Sequence, residues 1–198
     1  MRELYPELDV REGDAVDTWP GVWASEGTPD RLFGNLPYSC GAAIIGSFIE
    51  EGLCPPRMVF MVQKEQAARM TAKPGSPSYS AFSVLCASAF SIEQAGDVKP
   101  GSFFPSPAVI STIVVMKPNT AFRIARKDLF LALTKDLFAK KRKTIRNNLA
   151  TGRLAAQAGS DILFSVFQDL NVALSLRAEE LPAETIAACS DRLGDLLE

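Results

Sequence analysis

The sequence predicts an α/β domain over residues 1–119, followed by a small all-α domain over residues 120–198. Two observations predict this architecture. Up to Lys117-Pro118-Asn119, short apolar runs alternate with helical patterns, which is typical of a mostly parallel sheet with flanking helices. Beyond that point, apolar residues recur at the three- and four-residue spacing of a helix face.

The first domain contains five predicted strands, separated by segments with helical patterns. Residues 57–63 form a continuous apolar run that fits a strand buried on both faces. A Pro-rich segment separates the last two strands, which leaves an antiparallel edge open as an alternative. We predict the strands at residues 8–14, 31–38, 57–63, 89–95 and 109–117. We predict the helices at residues 39–51, 64–71 and 78–87, the first of them capped by Ser39 and ended by Gly52.

Apolar spacing predicts the helices of the second domain. Leu129, Leu133 and Leu137 share one helix face, and Ile145 and Leu149 lie on the next helix. The remaining helices are predicted from Ile162, Val166, Leu170, Ile186, Leu193, Leu196 and Leu197.

The composition excludes several classes of protein and of chemistry. The 198 residues are 47% hydrophobic and 22% charged, as in soluble globular proteins. No apolar window is long enough for a transmembrane helix, and we expect a cytoplasmic protein. Histidine is absent, which excludes histidine acid–base catalysis and histidine-ligated metals. The four cysteines are widely spaced, so we expect no metal site and reduced, mostly buried thiols.

Charge is distributed unevenly along the chain, although the formal net charge is only −2. Residues 123–153 contain 10 basic and 2 acidic side chains, whereas residues 154–198 contain 2 basic and 8 acidic ones. A dense run of cations usually lies on a solvated surface. The density here favours phosphate contacts, and therefore RNA or DNA as a partner. The run consists of Lys140, Lys141, Arg142, Lys143 and Arg146.

Asn35-Leu36-Pro37-Tyr38, at the end of a predicted strand, is the most informative motif. The Asn35 side chain and a backbone carbonyl before or at Pro37 can accept hydrogen bonds, and the exocyclic amino group of a nucleobase needs two acceptors. Tyr38 offers a flat face on which a base can stack. A simple turn explains the same residues about equally well, because Asn and Pro are common in turns.

Two other segments have both a functional and a plain structural interpretation. Phe103 precedes two prolines, which can present an aromatic ring at a site, although a rigid connection with core aromatics is the favoured explanation when the segment is taken alone. Gly41 and Gly46 have the glycine spacing of a P-loop. The lysine that a P-loop requires is absent, so small residues in a packed helix explain that spacing better.

Taken together, these segments resemble the ribosomal RNA adenine N6-dimethyltransferases of the small subunit, the kasugamycin-sensitivity family. The resemblance rests on EGDAV (12–16), NLPYS (35–39), MVQKEQAARMTAKPGSPSYSAFSVL (61–85), SFFPSPAVIST (102–112), KKRKTIRNNL (140–149) and LRAEELPAE (176–184). It implies a Rossmann-like, SAM-dependent methyltransferase domain followed by a helical RNA-binding domain. It also implies S-adenosylmethionine as the methyl donor and two adjacent adenines near the 3′ end of 16S rRNA as the acceptors.

The resemblance further implies roles for individual residues. The groups that hold and stack the target adenine would be Asn35, Pro37, Tyr38 and Phe103. The cofactor would contact Asp14, Ala15 and Asn35. The RNA would contact a basic helix through Lys140, Lys141, Arg142, Lys143 and Arg146. The family pattern implies no metal, and we expect a monomer.

One departure from the family pattern lies at the N-terminus. Members begin with a strand, a glycine-rich GxGxG cofactor loop and an acidic residue for the cofactor ribose, and these elements would precede residue 8. We therefore expect a catalytic domain that is incomplete at its N-terminus, with a sheet edge lacking its central partner. A non-catalytic RNA- or ribosome-binding fragment stays open as an alternative function. A DNA adenine methyltransferase is a third, against which the basic segment and the Phe103 loop argue.

Overall fold

In the computed structural model, which describes residues 5–198, four strands form one mixed sheet. They are β1 (Arg31–Asn35), β2 (Arg57–Gln63), β3 (Phe90–Val98) and β4 (Ser111–Pro118), in the spatial order β1-β2-β4-β3. β1 and β2 are parallel, whereas β4 is antiparallel to both β2 and β3. The antiparallel edge is therefore present, and this part of the sheet is mixed rather than mostly parallel.

Four helices belong to the same part of the chain. They are α1 (Ala15–Glu26), α2 (Gly41–Glu51), α3 (Lys64–Met70) and α4 (Ala81–Ala89). α2 ends at Gly52, whose left-handed backbone (φ 76°) lets its N–H reach the carbonyls of the last helical turn. Gly41 and Gly46 both lie within α2, which confirms that their spacing is that of small residues in a helix.

The strand predicted at residues 8–14 is wrong, because this segment is irregular in the structure. A strand needs a neighbour for its backbone N–H and C=O groups, and none of the four described strands pairs with this segment. The segment instead leads into α1, which begins where the Asp14 carboxylate accepts a hydrogen bond from the Val16 N–H at 2.8 Å.

Helix α1 was not predicted, and Pro20 is the reason. Proline inside a helix removes one backbone hydrogen bond, so its presence argues against a helix on sequence grounds. Tertiary packing outweighs this cost. The centroid of the Trp19 ring lies 5.3 Å from that of Trp23 and 5.1 Å from that of Phe48 in α2, and each pair of rings is arranged edge to face.

The first hydrophobic core lies between α2 and the sheet. Ile45 of α2, Met58 of β2 and Met116 of β4 are completely buried. Burial of one side chain of this size contributes about 1.5–3 kcal/mol to folding. This core fixes the sheet, and therefore the strand ends that carry the motif residues.

Five further helices surround a second core. They are α5 (Lys127–Leu137), α6 (Ile145–Ala150), α7 (Arg153–Ala158), α8 (Ser160–Asp169) and α9 (Ala183–Leu197). The predicted all-α region is confirmed, although α7 was not predicted. Leu133 and Ile186 are among the completely buried side chains. Leu170, Leu196 and Leu197 are exposed instead, because each lies at the C-terminal end of its helix.

The two cores meet through the segment that precedes α4. The Tyr79 hydroxyl donates to the Leu181 carbonyl at 2.8 Å, and the Gly75 N–H donates to the Glu179 carbonyl at 2.7 Å. Tyr79 is buried in the helical core, and this burial, aided by the charge of Glu184, raises the pKa of its hydroxyl to about 12. The domain boundary at residue 119, directly after β4, stays a prediction.

The described residues contain neither a membrane-spanning helix nor a cluster of metal ligands. None of their helices is both long and apolar enough to cross a membrane. Residues 5–198 likewise contain no group of three or more His, Cys, Asp or Glu side chains placed to hold a metal ion. All four cysteines are free thiols, of which Cys86 and Cys189 are buried and Cys40 and Cys54 are partly buried.

Candidate active site and RNA-facing surface

An open cavity of about 340 Å³ lies where β1 ends. Ligands of open α/β sheets usually bind at the carboxyl ends of the strands, as here. The structure brings together two segments that are far apart in the sequence, the turn after β1 and the loop between β3 and β4. The cavity is lined by Asn35, Leu36, Pro37, Tyr38, Phe103, Pro105 and Pro107.

The turn after β1 leaves two hydrogen-bond acceptors free. The Asn35 side chain is exposed and makes no hydrogen bond to the described residues. The Pro37 carbonyl, in contrast, accepts from the Cys40 N–H at 3.3 Å and the Gly41 N–H at 2.9 Å, at the start of α2. The Leu36 carbonyl accepts no hydrogen bond from the described residues. Of the two carbonyls considered from the sequence, the one before Pro37 is therefore the available acceptor.

Tyr38 is fixed by a long-range hydrogen bond. Its hydroxyl lies 2.6 Å from the Ser111 Oγ, 73 residues away in the sequence. Ser111 begins β4, is completely buried, and pairs with both Gln63 of β2 and Val98 of β3. The ring of Tyr38 is thus anchored to the start of β4, an inner strand of the sheet, while it forms part of the cavity wall.

The loop that carries Phe103 is held at both ends. The Phe103 N–H and the Ser106 hydroxyl both donate to the Pro100 carbonyl, at 3.1 and 2.9 Å. At the far end of the loop, the Ile110 carbonyl accepts from the Lys64 N–H at 2.9 Å. Half-buried Phe103 is therefore presented at the cavity by a constrained backbone.

A polar network closes the base of the same loop. Asp97 of β3 accepts from the Lys64 ammonium at 2.5 Å and from the Thr112 hydroxyl at 2.7 Å. These two hydrogen bonds, the one from Lys64 first, hold the pKa of the Asp97 carboxyl below its ordinary value. The network ties the end of β2 to the β3–β4 hairpin.

Of the three residues assigned to the cofactor, Asn35 lines this cavity, whereas Asp14 and Ala15 do not. Asp14 and Ala15 are exposed at the start of α1, and Ala15 lines a separate cavity of about 430 Å³ with Trp19, Trp23 and Leu32. One Asp14 carboxylate oxygen caps α1, and the other accepts no hydrogen bond from the described residues. That free oxygen can accept a hydrogen bond from an amino group.

The basic run forms a turn rather than the predicted helix. Lys140, Lys141, Arg142 and Lys143 lie between α5 and α6, are all exposed, and form no ion pair within residues 5–198. The reason is local. Thr144 caps α6 by accepting from the Asn147 N–H at 3.4 Å, so the helix begins only after the cations.

The fifth cation of the run lies on α6 itself. Arg146 is exposed, and its guanidinium stacks over the Phe164 ring at 4.6 Å from the centroid. Asn148, two residues further along α6 and buried, holds the basic turn in place by donating to the carbonyls of Leu137 at 2.6 Å and Lys140 at 3.2 Å. All five cations are therefore exposed, and hydrogen bonds from Asn148 hold the turn that carries four of them.

Sequence reasoning missed the groups that act through long-range contacts. Asp97 lies in no motif, and Ser111 lies in the segment SFFPSPAVIST (102–112) without having been assigned a role; the contacts of both depend on the pairing of β3 with β4. The weak signal was the pair of prolines after Phe103, which implies that something must hold the ends of a stiff loop.

Comparison with known proteins identifies the family. The sequence pattern of the family described as Ribosomal RNA adenine dimethylase matches residues 3–183, which is most of the chain. The chain belongs to this family. The resemblance seen in its motifs is thereby confirmed, together with the class of enzyme, an rRNA adenine dimethyltransferase that uses a methyl donor.

Two curated relatives of the dimethylase family show how far the similarity extends. Ribosomal RNA small subunit methyltransferase A of Treponema pallidum subsp. pallidum is 38% identical over 200 residues, an alignment that covers 100% of this chain and 70% of the relative. The protein of the same name from Treponema denticola is 35% identical over 186 residues, covering 93% of this chain and 63% of the relative.

Two solved structures confirm the fold of this dimethylase. A dimethyladenosine transferase from Plasmodium falciparum has a TM-score of 0.78 at 23% identity, covering 98% of this chain and 77% of that one. The 23S rRNA methyltransferase ErmE has a TM-score of 0.61 at 18% identity, covering 98% of this chain and 76% of that one. The Rossmann-like methyltransferase region followed by a helical region is thus confirmed.

Proposed function

We propose that this chain transfers methyl groups from S-adenosylmethionine to N6 of two adjacent adenines near the 3′ end of 16S rRNA. The observation that carries the proposal is the cavity where a free amide, a free carbonyl and two aromatic rings meet. The names of the Treponema proteins, which specify the small ribosomal subunit, support the choice of rRNA. In this proposal the chain acts as a monomer in the cytoplasm.

The two acceptors hold and activate the amino group of the target adenine. That group is a weak nucleophile, because its lone pair is delocalised into the ring. Hydrogen bonds from its two N–H groups to the Asn35 side chain and the Leu36 carbonyl draw the nitrogen toward tetrahedral geometry and stabilise the charge that develops on it. Pro37 fixes the turn, since its own carbonyl is engaged by α2.

The two aromatic rings hold the base outside its stack. A base must leave its stack to enter the cavity, which costs a few kcal/mol. Stacking on an aromatic side chain stabilises the bound base by about 1–3 kcal/mol, which offsets this cost. Tyr38 and Phe103 both line the cavity and are both held by hydrogen bonds, so that little ordering is needed when the base arrives.

The cofactor is assigned to the residues whose polar groups suit it. The free carboxylate oxygen of Asp14 accepts from the amino group of its adenine, Ala15 lies beside that contact, and Asn35 contacts both the cofactor and the target base. When bound, S-adenosylmethionine supplies an electrophilic methyl carbon. The residues of this chain then need only align the adenine nitrogen with that methyl carbon.

The basic turn and Arg146 provide the contact with the RNA backbone. Five exposed cations without ion pairs in the described part of the chain repel one another, and phosphates relieve this repulsion. Phosphate contacts position the RNA without reading its sequence. Choice of the target adenines therefore falls to the cavity.

The test is transfer of labelled methyl groups from S-adenosylmethionine to unmethylated small ribosomal subunits by this chain. We expect label in the two adjacent 3′-terminal adenines. Asn35→Ala should lower the transfer rate about 100- to 1,000-fold, the usual effect of losing one such polar contact. RNA binding should change by less than about twofold, since Asn35 is one contact among many.

The matched control is Gln157→Ala, which removes an exposed amide of α7 that does not line the cavity. It should leave both transfer and binding unchanged. RNA binding without transfer by the wild-type chain would support the non-catalytic RNA-binding alternative. Equal loss of transfer and binding in Asn35→Ala would contradict the role assigned to this residue.

A further inference from the structure

Phe104 is the most exposed large apolar side chain of the described residues. Its exposure is 102% of the reference value, whereas its neighbour Phe103 is half-buried and lines the cavity. Single exposed apolar residues are common on protein surfaces. Phe104 differs from them in its position, because it lies between two residues of the cavity wall, Phe103 and Pro105.

The backbone determines where the ring can reach. Phe103 has extended backbone angles (φ −123°, ψ 153°), and consecutive side chains of an extended chain point to opposite sides. Phe104 therefore does not share the cavity with Phe103. It stands beside the cavity on a loop whose ends are held by Pro100 and by Lys64. A ligand that contacts Phe104 must extend out of the cavity.

A single-stranded nucleic acid has this form. When one adenine occupies the cavity, the next nucleotide in the strand lies outside it and has lost one stacking neighbour. A fully exposed phenyl ring offers the flat apolar surface that an unstacked base requires. The loop carries no cation between residues 100 and 110, so this contact would be with a base rather than with a phosphate.

We propose that Phe104 stacks on the nucleobase adjacent to the adenine in the cavity. This inference rests on the proposed function, since it takes the adenine-containing RNA as the ligand. It adds a second stacking position to the two rings already assigned to the target base.

The test is titration of the wild-type chain and its variants into a short RNA that contains two adjacent adenines followed by 2-aminopurine, whose fluorescence is quenched on stacking. We expect quenching by the wild-type chain and by Phe104→Trp, but not by Phe104→Ala. Binding of Phe104→Ala should be about 5- to 100-fold weaker, the range for loss of one base–aromatic stack. Because the side chain is exposed, all three proteins should unfold at the same temperature.

Leu197→Ala is the matched control, because it truncates another exposed apolar side chain, at the end of α9 and outside the cavity wall. It should quench and bind like the wild-type chain. Equal quenching by wild type and Phe104→Ala, or no quenching by the wild-type chain, would overturn the stacking proposal. Methyl transfer to small ribosomal subunits separates the two proposals. If the wild-type chain transfers methyl groups but Phe104→Ala has no effect on quenching, the proposed function stands and only the stacking proposal fails.

Discussion

Replacing Tyr38 by Phe removes one hydroxyl and keeps the ring that forms the cavity wall. The hydroxyl lies 2.6 Å from the Oγ of Ser111, which is completely buried. No other side-chain hydrogen bond of Ser111 is found in the described residues. The substitution therefore leaves a buried serine hydroxyl without its partner, and this defect should dominate the effect on stability.

The loss of stability depends on which of the two hydroxyl groups is left without a hydrogen-bond partner. A buried hydroxyl without a partner costs about 1–3 kcal/mol, so we expect Tyr38→Phe to destabilise the chain by about 2 kcal/mol. Ser111→Ala leaves the hydroxyl of Tyr38, a residue that is only half-buried and lines the open cavity. That variant should cost about 0.5–1.5 kcal/mol. The double variant has no orphaned group and should be less destabilised than the sum of the two single variants by about 1 kcal/mol.

Urea unfolding of the four proteins measures this coupling. With a denaturant dependence of about 3 kcal/mol per molar, a loss of about 2 kcal/mol lowers the midpoint by about 0.7 M. Methyl transfer measured in parallel reports on the ring. Tyr38→Phe keeps the stacking face and should lose less than tenfold in kcat/KM, whereas Tyr38→Ala should lose about 5- to 100-fold more.

Additive effects of Tyr38→Phe and Ser111→Ala in the unfolding experiment would refute the reasoning, because two groups that share one hydrogen bond must couple. A kcat/KM of Tyr38→Ala equal to that of Tyr38→Phe would refute the second part. It would show that the ring does not stack on the target base.

Three further predictions follow from the structure. Replacing residues 140–143 by Ala should make RNA binding less sensitive to salt. The slope of the logarithm of the RNA-binding constant against the logarithm of the salt concentration should fall in magnitude by about 3, since each lost phosphate contact contributes about 0.7–0.9. An unchanged slope would show that the turn faces away from RNA. Gly152→Ala should destabilise the chain by about 1–3 kcal/mol in urea unfolding. The new Cβ would overlap the Asp136 carboxylate, which accepts a hydrogen bond from the backbone of α7. Gly46→Ala is the control: its Cβ would meet open space in α2, so it should stabilise the chain by about 0.5–1 kcal/mol. Burial raises the pKa of Cys189 to about 12, so at pH 8 its thiol stays protonated. Cys189 should therefore react with iodoacetamide only on unfolding, well after half-buried Cys40. Early alkylation of Cys189, detected by mass spectrometry, would contradict this.

The local parts of the fold were predictable from the sequence because they depend on short-range patterns. The apolar run of β2 and the helix that ends at Gly52 lie where the residue types place them, within one or two positions. The predicted strand at 8–14 is wrong because strand formation depends on a neighbour, which no local pattern specifies. Helix α1 was missed because the packing of Trp19 outweighs the cost of Pro20, and packing is a tertiary effect.

The same distinction applies to the candidate site. Asn35 and Tyr38 were selected because their chemistry is local to one turn, and Phe103 because of the stiff segment after it. Their meeting in one cavity depends on the order β1-β2-β4-β3, which brings the loop after β3 to the end of β1. The hydrogen bond to Ser111 spans 73 residues and lay beyond any spacing argument.

The cavity and the basic turn are supported by different parts of the structure. The turn at Asn35 is held by β2 and by Ser111, whereas the basic turn is held by Asn148 from within the helical core. Within residues 5–198, no hydrogen bond joins the residues that line the cavity to residues 140–149. Changes at the two places should therefore add in free energy. A chain that combines Asn35→Ala with neutral residues at 140–143 should show the transfer defect of the first and the binding defect of the second, with neither enlarged by the other.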